Sequence, residues 1–213
     1  MKRIIFLTVT VLFGLLILFF TGCPTAGKDS SVSDTAAVAG GYALRDTGPA
    51  GGLIFYINPN AASDGWTYLE AAPGDTGSAV WGGDGTVTGA QGVAIGTGKQ
   101  NTAVIVALFG ATEPYAGKTY GAKLCDDLTI TKGGVIYDDW FMPSKDELDQ
   151  MYLNLKRHGV GGFSDFYFWS SSESTNMLPK YYAWLQDFSY PPQYYYEYKS
   201  VASTIHVRAC RRF

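Results

Sequence analysis

The sequence predicts an α+β fold, two or three short helices against an antiparallel sheet. Three observations predict it. One amphipathic helix announces itself with a start and a stop signal near residue 145. Everything after it reads as strands. Before it, short apolar strands alternate with Gly- and Pro-rich turns.

The folded part begins near Tyr42. In "GPAGGLIFYINPN", Gly48-Pro49 and Gly51-Gly52 mark turns and Leu53 to Ile57 is a short apolar strand. "GWTYLEAAP" supplies a second strand, Trp66 to Ala71. Gly74 to Gly98 is glycine-rich and loop-like, with Trp81 as its anchor. "GKQNTAVIVALFG" fits a helix whose apolar side carries Val104, Leu108 and Ala111, with Ala103 and Ala107 beside them. "TYGAKLCDDLTI" fits a second, with Ala122, Leu124, Cys125 and Leu128 inward.

The strongest local signal is "DDWFMPSKDELDQMYLNLKRHGVGG". Trp140 to Met142 reads as a strand. Ser144 with Glu147 three residues later is a capping box. Leu148, Met151, Tyr152 and Leu155 make one helical stripe. Lys156, Arg157 and His158 suit the negative helix end, and Gly159 suits the C-cap. Strands then follow at Phe166–Ser171, Tyr182–Phe188, Tyr194–Lys199 and Ile205–Arg212.

The chain of 213 residues suits one domain plus an appendage. The appendage is N-terminal. Lys2 and Arg3 precede an uncharged run from Ile4 to Phe20, and Phe20-Thr21-Gly22-Cys23 follows. Residues 1–22 read as a signal peptide. The alternative is an uncleaved membrane helix, since the run approaches the ~17 residues that span a bilayer. Residues 23–41 are small and polar and read as a flexible tether. Loss of Lys2 and Arg3 would take the formal charge from −3 to −5. That mild acidity, without a basic patch, argues against nucleic acid as a partner.

Of the cysteines beyond Cys23, Cys125 and Cys210 either pair, as an exported chain permits, or remain buried thiols. No metal-ligand spacing or CxxC is present. Asp126-Asp127 and Asp138-Asp139 read as solvated element ends rather than a calcium site. "FWSSSES" lacks a nucleophile elbow, and the histidines are His158, at a helix end, and His206, in a strand. "GTGKQNT" lacks the phosphate-loop spacing and reads as a loop before a helix. Neither enzymatic activity nor a cofactor or metal is expected.

The unusual feature is the tail. Tyr181 to Ser200, "YYAWLQDFSYPPQYYYEYKS", holds seven of the chain's 15 tyrosines. Tyr194, Tyr195 and Tyr196 are consecutive, so a strand must turn some of them outward. Tyrosine offers a large amphipathic contact at low entropic cost, as in antibody paratopes. The expectation is one exposed binding face, with Trp169, Trp184, Phe188 and Val207 in the core beneath it.

"GPAGGLIFY", "GWTYLEAAP", "AIGTGKQNT", "AKLCDDL", "DDWFMPSKDEL", "FWSSSE", "AWLQDF" and "VRACRRF", in that order from about Tyr42 to Phe213, resemble the bacterial family typified by the C-terminal domain of the Legionella collagen-like protein. The tail and the lipobox-like FTGC resemble in addition the variable lipoproteins of diversity-generating retroelements. The resemblance implies a C-type-lectin-like fold of the formylglycine-generating-enzyme type. It implies lipid on Cys23, an envelope location (outer membrane and cell surface), and a C-terminal variable region, about residues 174–206, that binds a protein or glycan ligand.

Such retroelements change adenines, typically in AAC codons. Ala183, Trp184, Gln186, Phe188, Gln193, Lys199, Val207 and Arg208 match the family's fixed frame. The implied ligand-binding positions are Tyr181, Tyr182, Leu185, Asp187, Ser189, Tyr190, Pro192, Tyr194, Tyr195, Tyr196, Tyr198, Ser200, Val201, Ser203 and Thr204. Pro191, Glu197 and Cys210 depart from the pattern, and glutamate is unreachable from AAC by adenine changes. A second expectation, from a different class, is an invariant structural or housekeeping envelope lipoprotein with one fixed partner.

Overall fold

A computed structural model describes residues 41–110, 118–189, 193–201 and 205–213, with Gln193 and Tyr194 described by backbone alone. All belong to the unit Thr35–Phe213. The leader, nearly all of the tether, and Cys23, Tyr190, Pro192, Ser203 and Thr204 lie outside the described residues.

The architecture is α+β. Strands β1 (Leu53–Ile57) and β2 (Tyr68–Ala71) flank a one-turn helix α1 (Ala61–Asp64), and β3 (Gly77–Ser78) follows. Helices α2 (Gly98–Phe109) and α3 (Gly121–Asp126) precede a hairpin of β4 (Ile130–Lys132) and β5 (Val135–Tyr137). Helix α4 (Lys145–Asn154) leads into β6 (Tyr167–Glu173), β7 (Tyr182–Asp187), β8 (Gln193–Tyr198), β9 (Ile205–Val207) and β10 (Cys210–Arg212). The main sheet runs β3-β9-β6-β7-β8, and a smaller one runs β1-β2-β10.

Strand alternation buries the main sheet on both sides. Trp169, Leu185, Ala183, Ile205 and Val207 meet Ile105 and Phe109 of α2 and Ala122 and Cys125 of α3. Phe168 points the other way and joins Phe188 with Leu148, Met151 and Tyr152 of α4. Helix α4 has the expected capping box: Ser144 Oγ accepts from Glu147 N, and Glu147 Oε2 accepts from Ser144 N at 2.7 Å. All four residues of its predicted stripe are buried, and Gly159 ends the following 3₁₀ turn in the left-handed conformation.

Glu147 also reaches across to Gly96 N at 2.8 Å, so one carboxylate ties the glycine-rich loop to α4. Burial pushes its pKa up against the N–H groups that hold it. Where β1 enters the smaller sheet, a Cβ on Gly52 would sit 1.7 Å from Ala71 O, so the two backbones can approach only with glycine there.

Several elements differ from the sequence reading. In α2 the buried residues are Gly98, Asn101, Thr102, Ile105 and Phe109; the predicted Val104 and Leu108 are half-buried, and Ala103 and Ala107 face out. Asn101 and Thr102 are buried because they are bonded, to Gly92 and Ser171 and to Met142 O. Ala111 lies outside the described residues. Leu124 and Leu128 are only half-buried in the α3 region. Trp140 to Met142 form no strand, only a bridge from Phe141 to Cys210.

The predicted strand Ile205–Arg212 breaks at Arg208-Ala209, and its halves join different sheets. Arg208 forces the break. Its buried guanidinium binds Asp75 Oδ1 at 2.7 and 2.9 Å, Ala72 O and Gly161 O. Cys125 and Cys210 are free, buried thiols, and burial pushes both pKa values well above the ordinary thiol range.

Candidate binding face

The site is built on the β7–β8 hairpin, whose outer strand is the edge of the main sheet. Its register pairs Tyr182 with Tyr198, Trp184 with Tyr196 and Gln186 with Tyr194 on one face. It pairs Ala183 with Glu197 and Leu185 with Tyr195 on the other. The tyrosines therefore form two clusters back to back, not the single face expected. A pleated strand sends neighbours to opposite sides, so three consecutive tyrosines must split.

On the first face, Tyr182 lies 4.4 Å from Tyr198, ring centre to ring centre, and Tyr196 contacts both Tyr182 and Trp184 edge-on at 5.8 Å. A hydrogen bond between the Tyr182 and Tyr198 hydroxyls, followed by burial, pushes the Tyr182 pKa up to about 12. The neutral phenol is the form held by the fold. That contribution is complete below the ordinary tyrosine value of about 10 and is lost as pH rises through about 12. Tyr198→Phe should bring the Tyr182 titration, followed by NMR of its ring carbons, back toward the ordinary value. An unchanged titration would contradict the pairing.

Trp184 is half-buried here, not in the core as the sequence reading placed it. Its flank is Lys145, with Nζ 5.6 Å above the ring. Its indole N–H is buried and has no acceptor among the described residues.

On the second face, Tyr195 meets Tyr167 of β6 at 6.1 Å and 77°. These two, with Leu185, Tyr196, Glu197, Val201 and Ile205, line a cleft of about 260 Å³. Tyr167, Glu197 and Ile205 were missed from sequence. The signal for Tyr167 was available: alternation through β6 turns it outward when Phe168 turns in.

Tyr195, Tyr196 and Tyr198 are 41%, 41% and 47% exposed, and Ser200 is exposed beside them. Tyr181, Tyr182 and Val201 are half-buried. Leu185 is a correction: its side chain belongs to the core and forms only the cleft floor, because its neighbour across β6 is the buried Trp169. Asp187 and Ser189 bond each other, Ser189 N and Oγ both donating to Asp187 Oδ1, and so shape the turn at the hairpin end.

The frame residues behave differently. Ala183, Gln186, Phe188, Lys199, Val207 and Arg208 are all buried. Gln186 donates to Asp149 on α4 at 3.2 Å. Lys199, directly after the tyrosines, is fully buried: Nζ binds Glu173 Oε1 at 2.5 Å and Thr86 O at 2.9 Å and lies 4.5 Å above Trp81. Burial lowers the Lys199 pKa, and Glu173 offsets this. The same carboxylate accepts from Thr88 N and Gly89 N. The hairpin base is thus locked to the glycine-rich loop.

Three of the four serines of "FWSSSES" are hydrogen-bonded within the fold, and Ser174 Oγ is buried without a partner among the described residues. Asn101 donates to Ser171 Oγ, Ser172 Oγ donates to Gly92 O, and Ser170 Oγ donates to Trp184 O. Asp139 is bonded to Arg211 at 2.7 Å. Among the described residues, no cluster of three or more His, Cys, Asp or Glu is placed to hold a metal, and no helix is long and apolar enough to cross a membrane. No protein-family model matches the chain, and no curated protein matches it.

Proposed function

We propose that the chain is a surface-displayed lipoprotein that binds a variable protein or glycan ligand through the β7–β8 hairpin. The scaffold is C-type-lectin-like, of the formylglycine-generating-enzyme type. The lipid on Cys23 holds the chain to the bacterial envelope, in the outer membrane. It acts by binding, without catalysis, as a diversity-generating-retroelement variable protein similar to Treponema variable protein A.

One observation carries this reading. Within a single hairpin, the frame matches Ala183, Gln186, Phe188 and Lys199 are buried, while Tyr195, Tyr196 and Tyr198 among them are exposed; Trp184, also a frame match, is half-buried. Contiguous exposed aromatic residues mark interaction sites, and a scaffold that accepts substitution needs its changeable residues outside the core. Cross-strand tyrosine pairs contribute only about 0.2–1 kcal/mol each, so their replacement spares the fold.

Two randomised libraries test the proposal. In the first, Tyr182, Tyr195, Tyr196, Tyr198 and Ser200 vary; in the second, Ala183, Gln186, Phe188 and Lys199 vary. The first should stay protease-resistant, each tyrosine change costing at most about 1 kcal/mol, and should yield binders to unrelated proteins or glycans. The second should lose folded protein. A first library that unfolds as the second does, or that yields no binders, overturns the proposal.

A further inference from the structure

The cleft on the second face has a chemistry of its own. Its floor is aliphatic: Leu185, Val201 and Ile205. Its wall is a corner of two phenol rings, Tyr167 and Tyr195, meeting at 77°. Glu197 stands on the same side of β8 as Tyr195, two residues along, about 7 Å away by strand geometry. One Glu197 oxygen accepts from the N–H of Tyr198 at 2.7 Å, and Glu197 has no ion pair among the described residues. Among the described residues, no lysine, arginine or histidine lines the cleft.

We propose that this cleft takes a basic side chain, lysine or arginine, presented by a protein ligand. The argument is complementarity of three parts. An aliphatic stem matches the apolar floor. A cation is attracted to the electron-rich faces of tyrosine rings. The Glu197 carboxylate supplies a negative charge that no cation among the described residues pairs with. An acidic side chain finds only repulsion there, and an uncharged aliphatic one leaves the carboxylate unused. The inference rests on the reading of the hairpin as a binding surface and adds the class of group bound on one of its faces.

The test uses the full chain in detergent, titrated with acetyl-Gly-Lys-Gly-amide, with the norleucine peptide that lacks only the ammonium group, and with a methyl glycoside, following the ring resonances of Tyr167 and Tyr195. The lysine peptide should shift both rings and bind at least about fivefold more tightly than the norleucine peptide. The advantage should shrink as salt rises and fall further in Glu197→Gln, where only the ring faces still attract the cation. Equal binding of the two peptides, tighter binding of a methyl glycoside, or no ring shift at the highest soluble concentration would overturn the inference. If the tyrosine library yields binders while lysine shifts neither ring, only this inference falls. If that library unfolds, the binding-surface reading falls, and the titration still reports on the cleft.

Discussion

Lys199→Met should destabilise the domain by about 3–5 kcal/mol in chemical denaturation, because it strips the partner from a buried carboxylate. Both side chains of the Lys199–Glu173 pair are fully buried. Glu173 keeps its two backbone donors, Thr88 N and Gly89 N, but loses its counter-ion. Thr86 O loses its donor, and the Trp81 ring its cation. Adding Glu173→Gln to Lys199→Met removes the stranded charge, so the double variant should recover a large part of the loss. The consequence for the site is local as well. Lys199 N donates to Tyr181 O and Lys199 O accepts from Gly82 N, closing the hairpin base. Amide exchange at Tyr195 to Tyr198 should therefore quicken in the single variant. A loss under about 1 kcal/mol would mean the pair is not a lock.

Trp169→Ala should cost a similar amount, about 3–5 kcal/mol. The side chain is fully buried where β6 meets the core beneath α2 and α3. Its indole N–H donates to Ala79 O at 3.1 Å, while Trp81 donates back to Ser170 O at 2.7 Å. The truncation opens a cavity and strands a carbonyl in the loop that also meets Lys199. Trp184→Ala, one strand over, should cost less than about 2 kcal/mol, since that ring is half-exposed and its N–H has no acceptor to lose among the described residues. Equal losses at the two tryptophans would contradict their different burial.

The parts legible in the sequence are those set by local chemistry. Helix α4 was readable because Ser144, Glu147, the apolar stripe and Gly159 all act within a few residues of one another. Strands β1, β2, β6, β7 and β8 were readable to within a few residues, whereas the apolar run Trp140 to Met142 forms only a bridge. What sequence could not supply was long-range bonding of polar residues. Asn101 and Thr102 look like an exposed helix side until Gly92, Ser171 and Met142 O are seen around them. Arg208 looks like one more strand residue until its partners at Asp75 and Gly161 bend the chain between two sheets. The β4–β5 hairpin went unread although Gly133-Gly134 is a turn signal. In the site, the exposed tyrosines were legible from their run alone. Their division between two faces required the register, and the contribution of Tyr167 required knowing that β6 lies beside β7.

The central claim is that the exposed tyrosines of the hairpin and their neighbours vary while the residues matching the fixed frame do not. Sequencing the coding DNA for Phe166 to Phe213, with its downstream flank, across many clonal isolates tests it most directly. The account predicts substitutions at positions such as Tyr182, Tyr190, Tyr194 to Tyr196 and Ser200, with Trp184, Gln186 and Lys199 unchanged and a near-copy of the segment close by. An invariant tail with no near-copy would contradict it and would favour the second expectation, an invariant envelope lipoprotein with one fixed partner.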